Sequence, residues 1–377
     1  MTSPRFASAS SSSAILATLT EVAPSAAEWA VKSIALGTVT ALAVTGTAAQ
    51  SQEVFEMTTA FGKNLPILGT GATDFVAKIN SISTEVEFEH FDPGELVPAL
   101  EALDAVSSGS VDAAYTTAGY WQGKIPAASL FSAVPFGPEA GEFLGWMLYD
   151  DGLELFQRMY VEAGFNVHVL PCGVTAPETS GWFKNEINSI SDLEGLNMRF
   201  FGLGAEVMQR LGVSTSLLAG GDIFPALERG AIDATEFSMP VIDARLGFYN
   251  IAKFNYFPGW HQPFTAFHLV VNLQRWNGLA PATQSALETA CTAGVTRNLA
   301  RAEGLQGAVL ERFQREGVDT RVLDPALLDT LRTAAQAVLE EEAAADPTFA
   351  RVYADQQRFA ERYAVWDALA YPRSEAP

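Results

Sequence analysis

Cysteine, histidine and basic residues are all scarce in this chain, and each scarcity removes a class of function. Two cysteines occur among 377 residues, Cys172 and Cys291, which excludes a multi-disulfide scaffold, a cysteine-rich zinc site and an iron–sulfur cluster. A single disulfide stays open, although the distance between the two in sequence argues against it. The four histidines, His90, His168, His261 and His268, never fall at H-x-x-x-H spacing, and neither a G-x-S-x-G elbow nor a P-loop is present. Lys and Arg total 23 against 44 Asp and Glu, a formal charge of −21. A nucleic-acid backbone or an anionic membrane surface is repelled by such a chain, and nucleic-acid binding is excluded.

What is present is a large apolar fraction, 48% of the residues. That suffices for a packed interior and, at this length, for two α/β lobes. Residues 1–49 read as a secretory signal peptide: Lys32 precedes an apolar run from Ile34 to Val44, and Thr47-Ala48-Ala49 offers small residues for cleavage. The run is too short for the roughly twenty residues of a membrane span, and no cysteine follows it to carry a lipid. Reading from Val31 gives a leader of ordinary length with its charge next to the start, which marks residues 1–30 as a candidate untranslated stretch. The exported product is expected to begin near Gln50, to be soluble and to reside in a periplasm. Losing the leader removes two charges of each sign, Arg5, Lys32, Glu21 and Glu28, so the acidity belongs to the exported domain.

After Glu53 the pattern alternates between strand and helix. Strands are expected at Val54–Thr59, Val86–His90, Val111–Thr116 and Val167–Leu170, with helices at Gly69–Ser81, Leu96–Val106 and a single long one at Phe143–Ala163. A second unit follows, with a capped turn at 190–195, strands at Asn197–Phe200 and Ala234–Phe237, and helices over Ala205–Leu211 and Ala226–Glu228. His268–Asn272 reads as the return strand to the first unit. Residues 50–170 and 268–324 are therefore assigned to lobe 1 and 171–267 to lobe 2, joined by a two-segment hinge. From Asp324, placed to cap a helix opening at Pro325, the chain turns helical, with a second helix over Pro347–Ala368. This C-terminal segment, 325–377, carries an aromatic stripe that must be buried.

Two charged residues lie in apolar strands. Arg199 stands in Leu196-Asn197-Met198-Arg199-Phe200-Phe201, where a buried guanidinium needs a planar acceptor such as a ligand carboxylate. An internal ion pair or an ordinary surface strand residue stays open as well. Glu236, in Ala234-Thr235-Glu236-Phe237, is either a site acid or a solvated loop acid. Gly69-Thr70-Gly71 and Gly202-Leu203-Gly204 each precede a helix and read as tight turns.

Taken in order, several segments carry a resemblance: Tyr120-Trp121-Gln122-Gly123-Lys124, Gly181-Trp182-Phe183, Gly195-Leu196-Asn197-Met198-Arg199, Gly230-Ala231-Ile232-Asp233-Ala234-Thr235-Glu236 and Tyr256-Phe257-Pro258-Gly259-Trp260-His261. Over about residues 53–370 the chain resembles the DctP-family solute receptors of tripartite ATP-independent periplasmic (TRAP) transporters, and within them the branch that binds 2-oxo acids. The resemblance implies an α/β fold of the periplasmic binding protein type II kind, with two lobes, a hinge and long C-terminal helices. It implies a receptor, not an enzyme, that delivers a small 2-oxo or 2-hydroxy monocarboxylate to membrane permease subunits. Position by position, Arg199 matches the arginine that grips the substrate carboxylate. Glu236 matches an acid that ligates a bridging cation, Phe237 a residue lending its backbone carbonyl, Phe61 an aromatic wall, and Tyr120 the loop that closes over the ligand. Asp243 matches an acid of structural use.

The family has glutamine at the position of Glu178 and glutamate at that of Gln262. Here the two are exchanged, which implies a compensated swap with Glu178, Glu236, Phe237 and Gln262 around one cation. Two carboxylates and an acid, less Arg199, sum to −2 in a closed cleft, which requires a cation. Sodium leaves −1 and calcium zero, and both are used in the family; an alternative has Glu178 facing solvent and Glu236 alone holding sodium. Phe61, Phe237, Trp182 and Trp260 suggest apolar walls, with core packing the other use of the tryptophans. A sugar acid or amino-acid derivative held through Gln262 or Gln122 is an alternative ligand, and a secreted metal-dependent hydrolase with Glu178 or Glu236 as base is a remote one. In this branch the C-terminal helices are also exchanged between partners, which makes a homodimer a further expectation.

Overall fold

The computed structural model describes residues 52–370. The leader and its cleavage point lie outside the described residues. The first part of the chain forms β1 (Glu53–Thr59), β2 (Val86–Phe91), β3 (Ala113–Thr116) and β4 (Val167–Val174). Next come β5 (Gly181–Phe183), β6 (Asn197–Arg199), β7 (Ser214–Ser216), β8 (Ala234–Thr235) and β9 (Phe254–Phe257), and then β10 (Ala266–Asn272) and β11 (Asp319–Val322). They make two mixed sheets of order β2-β1-β3-β10-β4 and β11-β9-β5-β8-β6-β7. Strand β10 is buried at every residue, as a near-continuous apolar run covered on both faces must be. It runs antiparallel to both β3 and β4.

The chain passes from the first sheet to the second through residues 175–180 and returns through 258–265. The two crossings are tied backbone to backbone: Thr175 N–H donates to Thr265 O (2.9 Å), and Glu178 N–H to Gln262 O (3.1 Å). There is a third passage. Strand β11, within the segment 268–324 assigned to lobe 1, pairs in parallel with β9 of the second sheet, so that segment does not stay with the first sheet.

Helices fill the faces, with two departures from the expected pattern. The expected helix Phe143–Ala163 is two, Ala140–Tyr149 and Gly152–Glu162. Asp150 between them is extended and pairs with Arg358 and Arg362 of the C-terminal helix. Gly152 packs so tightly on the backbone of Met147 that a Cβ there would approach its Cα to 2.6 Å. The second departure is a helix of 35 residues, Pro281–Arg315, about 50 Å long at 1.5 Å per residue. It packs on β4 and on the helix Leu68–Ile82, and at its far end on the helix Pro240–Leu246 and on β11. Its buried face is built largely of small residues, Ala290, Gly294 and Ala302 among them, so its apolar periodicity is weak.

That helix carries Cys291, which is disulfide-bonded to Cys172 of β4, contrary to the argument from sequence distance. The two are 119 residues apart but neighbours in the packed pair. Closing a loop of that size restricts the unfolded chain by about 4–5 kcal/mol in the chain-entropy account. Reductant should therefore move the urea midpoint clearly downward. An unchanged midpoint would show that packing alone holds this helix on β4.

The C-terminal helices are Pro325–Ala345, capped as expected by the Asp324 side chain accepting from Ala326 N–H (2.8 Å), and Pro347–Ala370. The first packs on the helix Leu203–Arg210 beside the second sheet, and the second on Ala140–Tyr149 and Gly152–Glu162 beside the first. Among the described residues no helix is long and apolar enough to cross a membrane.

Candidate ligand and cation site

Strands β6 and β8 are parallel neighbours, and this places Arg199 against Glu236. Both are buried, at 1% and 0% exposure. Arg199 Nη1 donates to Glu236 Oε1 (2.7 Å) and to its main-chain oxygen (2.8 Å), Nε donates to Leu218 O (3.2 Å), and the guanidinium lies over the Phe237 ring at 5.2 Å. Arg199 is thus neither a surface strand residue nor free, and Glu236 is not a solvated loop acid. Phe201 N–H also donates to Glu236 Oε1 (2.5 Å). Burial pushes the Glu236 carboxyl up, but Arg199, His261 and the Phe201 N–H outweigh it and leave it below the usual range, so the group is ionised.

The two crossings supply Glu178 and Gln262, exposed by only 2% and 3%. Gln262 Nε2 donates to Thr265 Oγ1 (2.7 Å), which in turn donates to Glu178 Oε1 (2.7 Å). The backbones meet closely, since a Cβ on Gly259 would lie 2.3 Å from Glu178 O. Glu178 therefore faces the interior and not solvent. Its carboxyl is held well above the usual range, first by burial and then by the charge of Glu236.

Phe61, Tyr120 and Phe237 join Arg199, Glu178 and Gln262 around one small cavity. Tyr120 packs its ring 6.2 Å from Phe61 and edge-on to Phe201 at 5.4 Å, and burial pushes its hydroxyl up to about 12. The tryptophans are not walls. Trp182 Nε1 donates to Asp243 Oδ2 (2.8 Å) and its ring packs on Phe313, while Trp260 stacks on Phe136. Asp243 is buried in that core contact, and desolvation raises it to about 8. Gln122 donates to Glu206 and does not line the cavity. Sequence reasoning missed Phe201, Thr265, Ser238 and Phe267 in the wall. Each is one to five residues from a residue it did single out, and proximity in sequence was the available signal.

The site fits a cation by its own chemistry. Glu178 Oε2, Glu236 Oε2 and Gln262 Oε1 are buried and without a hydrogen-bond partner, a costly state for a carboxylate or an amide unless something electropositive reaches them. Donor atoms of Glu178, Glu236 and His261 lie within 4.8 Å of one another. Together with an acid and Arg199 this set carries −2, which a divalent ion cancels.

Comparison with known proteins agrees with this chemistry. Residues 60–346 match the family of bacterial extracellular solute-binding proteins, family 7, DctP. A monocarboxylate 2-oxoacid-binding periplasmic protein of Nostoc sp. is 37% identical over 317 residues, 84% of this chain and 86% of that one. A TRAP transporter solute-binding protein of Bordetella bronchiseptica, crystallised as a dimer with copurified calcium and picolinate, is 31% identical with a TM-score of 0.82, covering 85% of this chain and 95% of that one. One from Pseudoalteromonas atlantica, with bound sodium and pyruvate, is 28% identical with a TM-score of 0.81, covering 85% and 97%.

Proposed function

Because the chain belongs to the DctP family of bacterial extracellular solute-binding proteins, whose members are solute receptors and not enzymes, we propose that it is the periplasmic receptor of a TRAP transporter for a small 2-oxo or 2-hydroxy monocarboxylate. The observation that carries this is the buried Arg199–Glu236 pair beside a second buried carboxylate, Glu178, in a small apolar-walled cavity. The acid's carboxylate accepts from Arg199, and Phe61, Tyr120 and Phe237 exclude water from the remainder. Glu178, Glu236, Gln262 and the Phe237 carbonyl hold the cation, which supplies positive charge where the acid's oxygens meet two carboxylates. The close apolar walls of Phe61, Tyr120 and Phe237 favour a short acid over a sugar acid. The two sheets are the lobes, with β11 counted in the second, and residues 175–180 and 258–265 are the hinge that closes them. Closure presents the loaded form to the membrane permease subunits.

The test is thermal shift of chelator-treated protein with pyruvate and other short 2-oxo and 2-hydroxy acids, each with sodium, with calcium and with neither. A ligand selective for the folded state raises the midpoint with its concentration over Kd. A shift that needs acid and cation together is expected. Absence of a shift with every acid, whatever the cation, would refute the pocket assignment.

We further propose that the receptor is a homodimer. The helix Pro347–Ala370 leaves Val365, Trp366 and Leu369 exposed by 69%, 61% and 83%, an apolar end that a second copy would cover. Sedimentation should give a dimer for the native protein and a monomer for the double variant Trp366→Asp, Leu369→Asp. A native monomer at micromolar concentration would contradict the proposal.

A further inference from the structure

Gln122 takes no part in the ligand cavity, yet it makes a bond that no other side chain duplicates. Its Nε2 donates to Glu206 Oε1, and among the described residues this is the one side-chain hydrogen bond that joins residues 52–170 to 181–257 directly. Both ends are firmly seated. Gln122 follows the turn Ala118–Trp121, which Trp121 anchors in the first lobe by donating from Nε1 to the Tyr160 hydroxyl (2.9 Å). The same turn is pressed onto the second lobe: Tyr120 lies edge-on to Phe201 at 5.4 Å, and a Cβ on Gly119 would come within 2.3 Å of the Phe201 ring. Only glycine permits that approach.

Glu206 lies on the helix Leu203–Arg210, against which the C-terminal helix Pro325–Ala345 packs. Its carboxyl hydrogen-bonds the Glu342 carboxyl of that helix. Two carboxyls bond one another only when one of them carries a proton. Burial, and then the charge of Glu342, raise Glu206 to about 7, against the opposing pull of Gln122 and Arg210, so Glu206 is the group that holds the proton. It donates to Glu342 and, through its other oxygen, accepts from Gln122. Arg210, the cation facing it on its own helix, is itself paired with Glu341. The last helix, Pro347–Ala370, packs on the first lobe. Glu206 therefore stands where both lobes and the C-terminal segment meet.

Resting on the receptor reading above, we propose that Gln122 and Glu206 are the latch of the closed cleft: positioning residues that hold the two lobes together and so set how long the acid stays bound, without touching it. Opening the cleft parts the pair, and the bond is present only in the closed form. It therefore acts on release of the acid more than on its capture.

Release of pyruvate from the full chain, loaded with pyruvate and calcium, is followed by stopped-flow tryptophan fluorescence on dilution into pyruvate-free buffer at pH 6, where Glu206 carries its proton. Gln122→Met, similar in size but without a donor, should release pyruvate about three- to tenfold faster than the native chain, the scale of one net hydrogen bond. Glu206→Ala should do the same, and the double variant should be no faster than either, since both remove one interaction. Glu206→Gln, which still donates to Glu342 and accepts from Gln122, should release at close to the native rate. The urea midpoint of acid-free Gln122→Met should match the native one, whereas a merely structural role would move the midpoint and not the release rate. Bound pyruvate released by Gln122→Met at the native rate would overturn the latch and leave the receptor reading intact. No pyruvate binding by the native chain with calcium or sodium would overturn both. Should Glu206→Ala fail to fold, Gln122→Met and Glu206→Gln decide alone.

Discussion

Replacing Arg199 by methionine is expected to abolish acid binding and to destabilise the fold in one step. The guanidinium makes two bonds to Glu236 and one to Leu218 O, and it lies at the wall of the cavity where the acid's carboxylate must be met. Without it the ionised Glu236 is left buried with only Phe201 N–H and His261 nearby. Removing one member of a buried pair costs about 3–5 kcal/mol, a large part of the roughly 5–15 kcal/mol that holds a typical domain folded. The double variant Arg199→Met, Glu236→Gln separates the two effects. It should regain most of the stability in urea unfolding, because no unpaired charge remains, but no acid binding by calorimetry. Lysine is a poor substitute, since one ammonium does not reproduce the planar fork that spans the Glu236 side chain, its carbonyl and the Leu218 carbonyl. Acid binding retained by Arg199→Met would remove Arg199 from the site.

Much of this arrangement was legible in the sequence, and the limits have physical causes. Arg199 and Glu236 each stood out as a charge inside an apolar strand, but their pairing depends on β6 lying beside β8, which periodicity does not encode. Glu178 and Gln262 were found only as an exchange of residues seen through family resemblance. What puts them in one place is the backbone pairing of two crossings separated by most of the second sheet. His261, which stands beside Glu178 and Glu236, was passed over because no other histidine lies at metal-ligand spacing from it. His268, by contrast, is core: burial lowers it to about 3 and its ring packs on Phe156. Trp182 was open between wall and core packing, and the core is where it lies. The helix Pro281–Arg315 escaped because small residues on its inner face give little periodic signal, and with it went the proximity of Cys172 and Cys291.

Glu178→Gln is expected to stabilise the cation-free protein at alkaline pH while removing most of its response to cations. The Glu178 carboxyl has one oxygen on Thr265 and the other buried without a partner, and its folded value is raised well above the usual 4.5, first by burial and then by Glu236. A carboxyl raised on folding favours the folded state most below its unfolded value. That advantage is lost as pH climbs from about 4.5 through the raised value. Cation-free native protein should therefore lose stability with rising pH, and a bound cation should restore it. Glutamine stays neutral, so the variant's profile should be flatter and should exceed the native one at the alkaline end, with Asp243 contributing its own decline equally to both. The double variant Glu178→Gln, Gln262→Glu then tests whether the exchange is compensated. Both side chains meet at the Thr265 hydroxyl, which accepts from Gln262 and donates to Glu178; turning that hydroxyl around serves the reversed pair equally well. Cation and acid binding should return to within a few fold of native. A double variant as impaired as Glu178→Gln alone would mean that positions 178 and 262 do not serve one charge site.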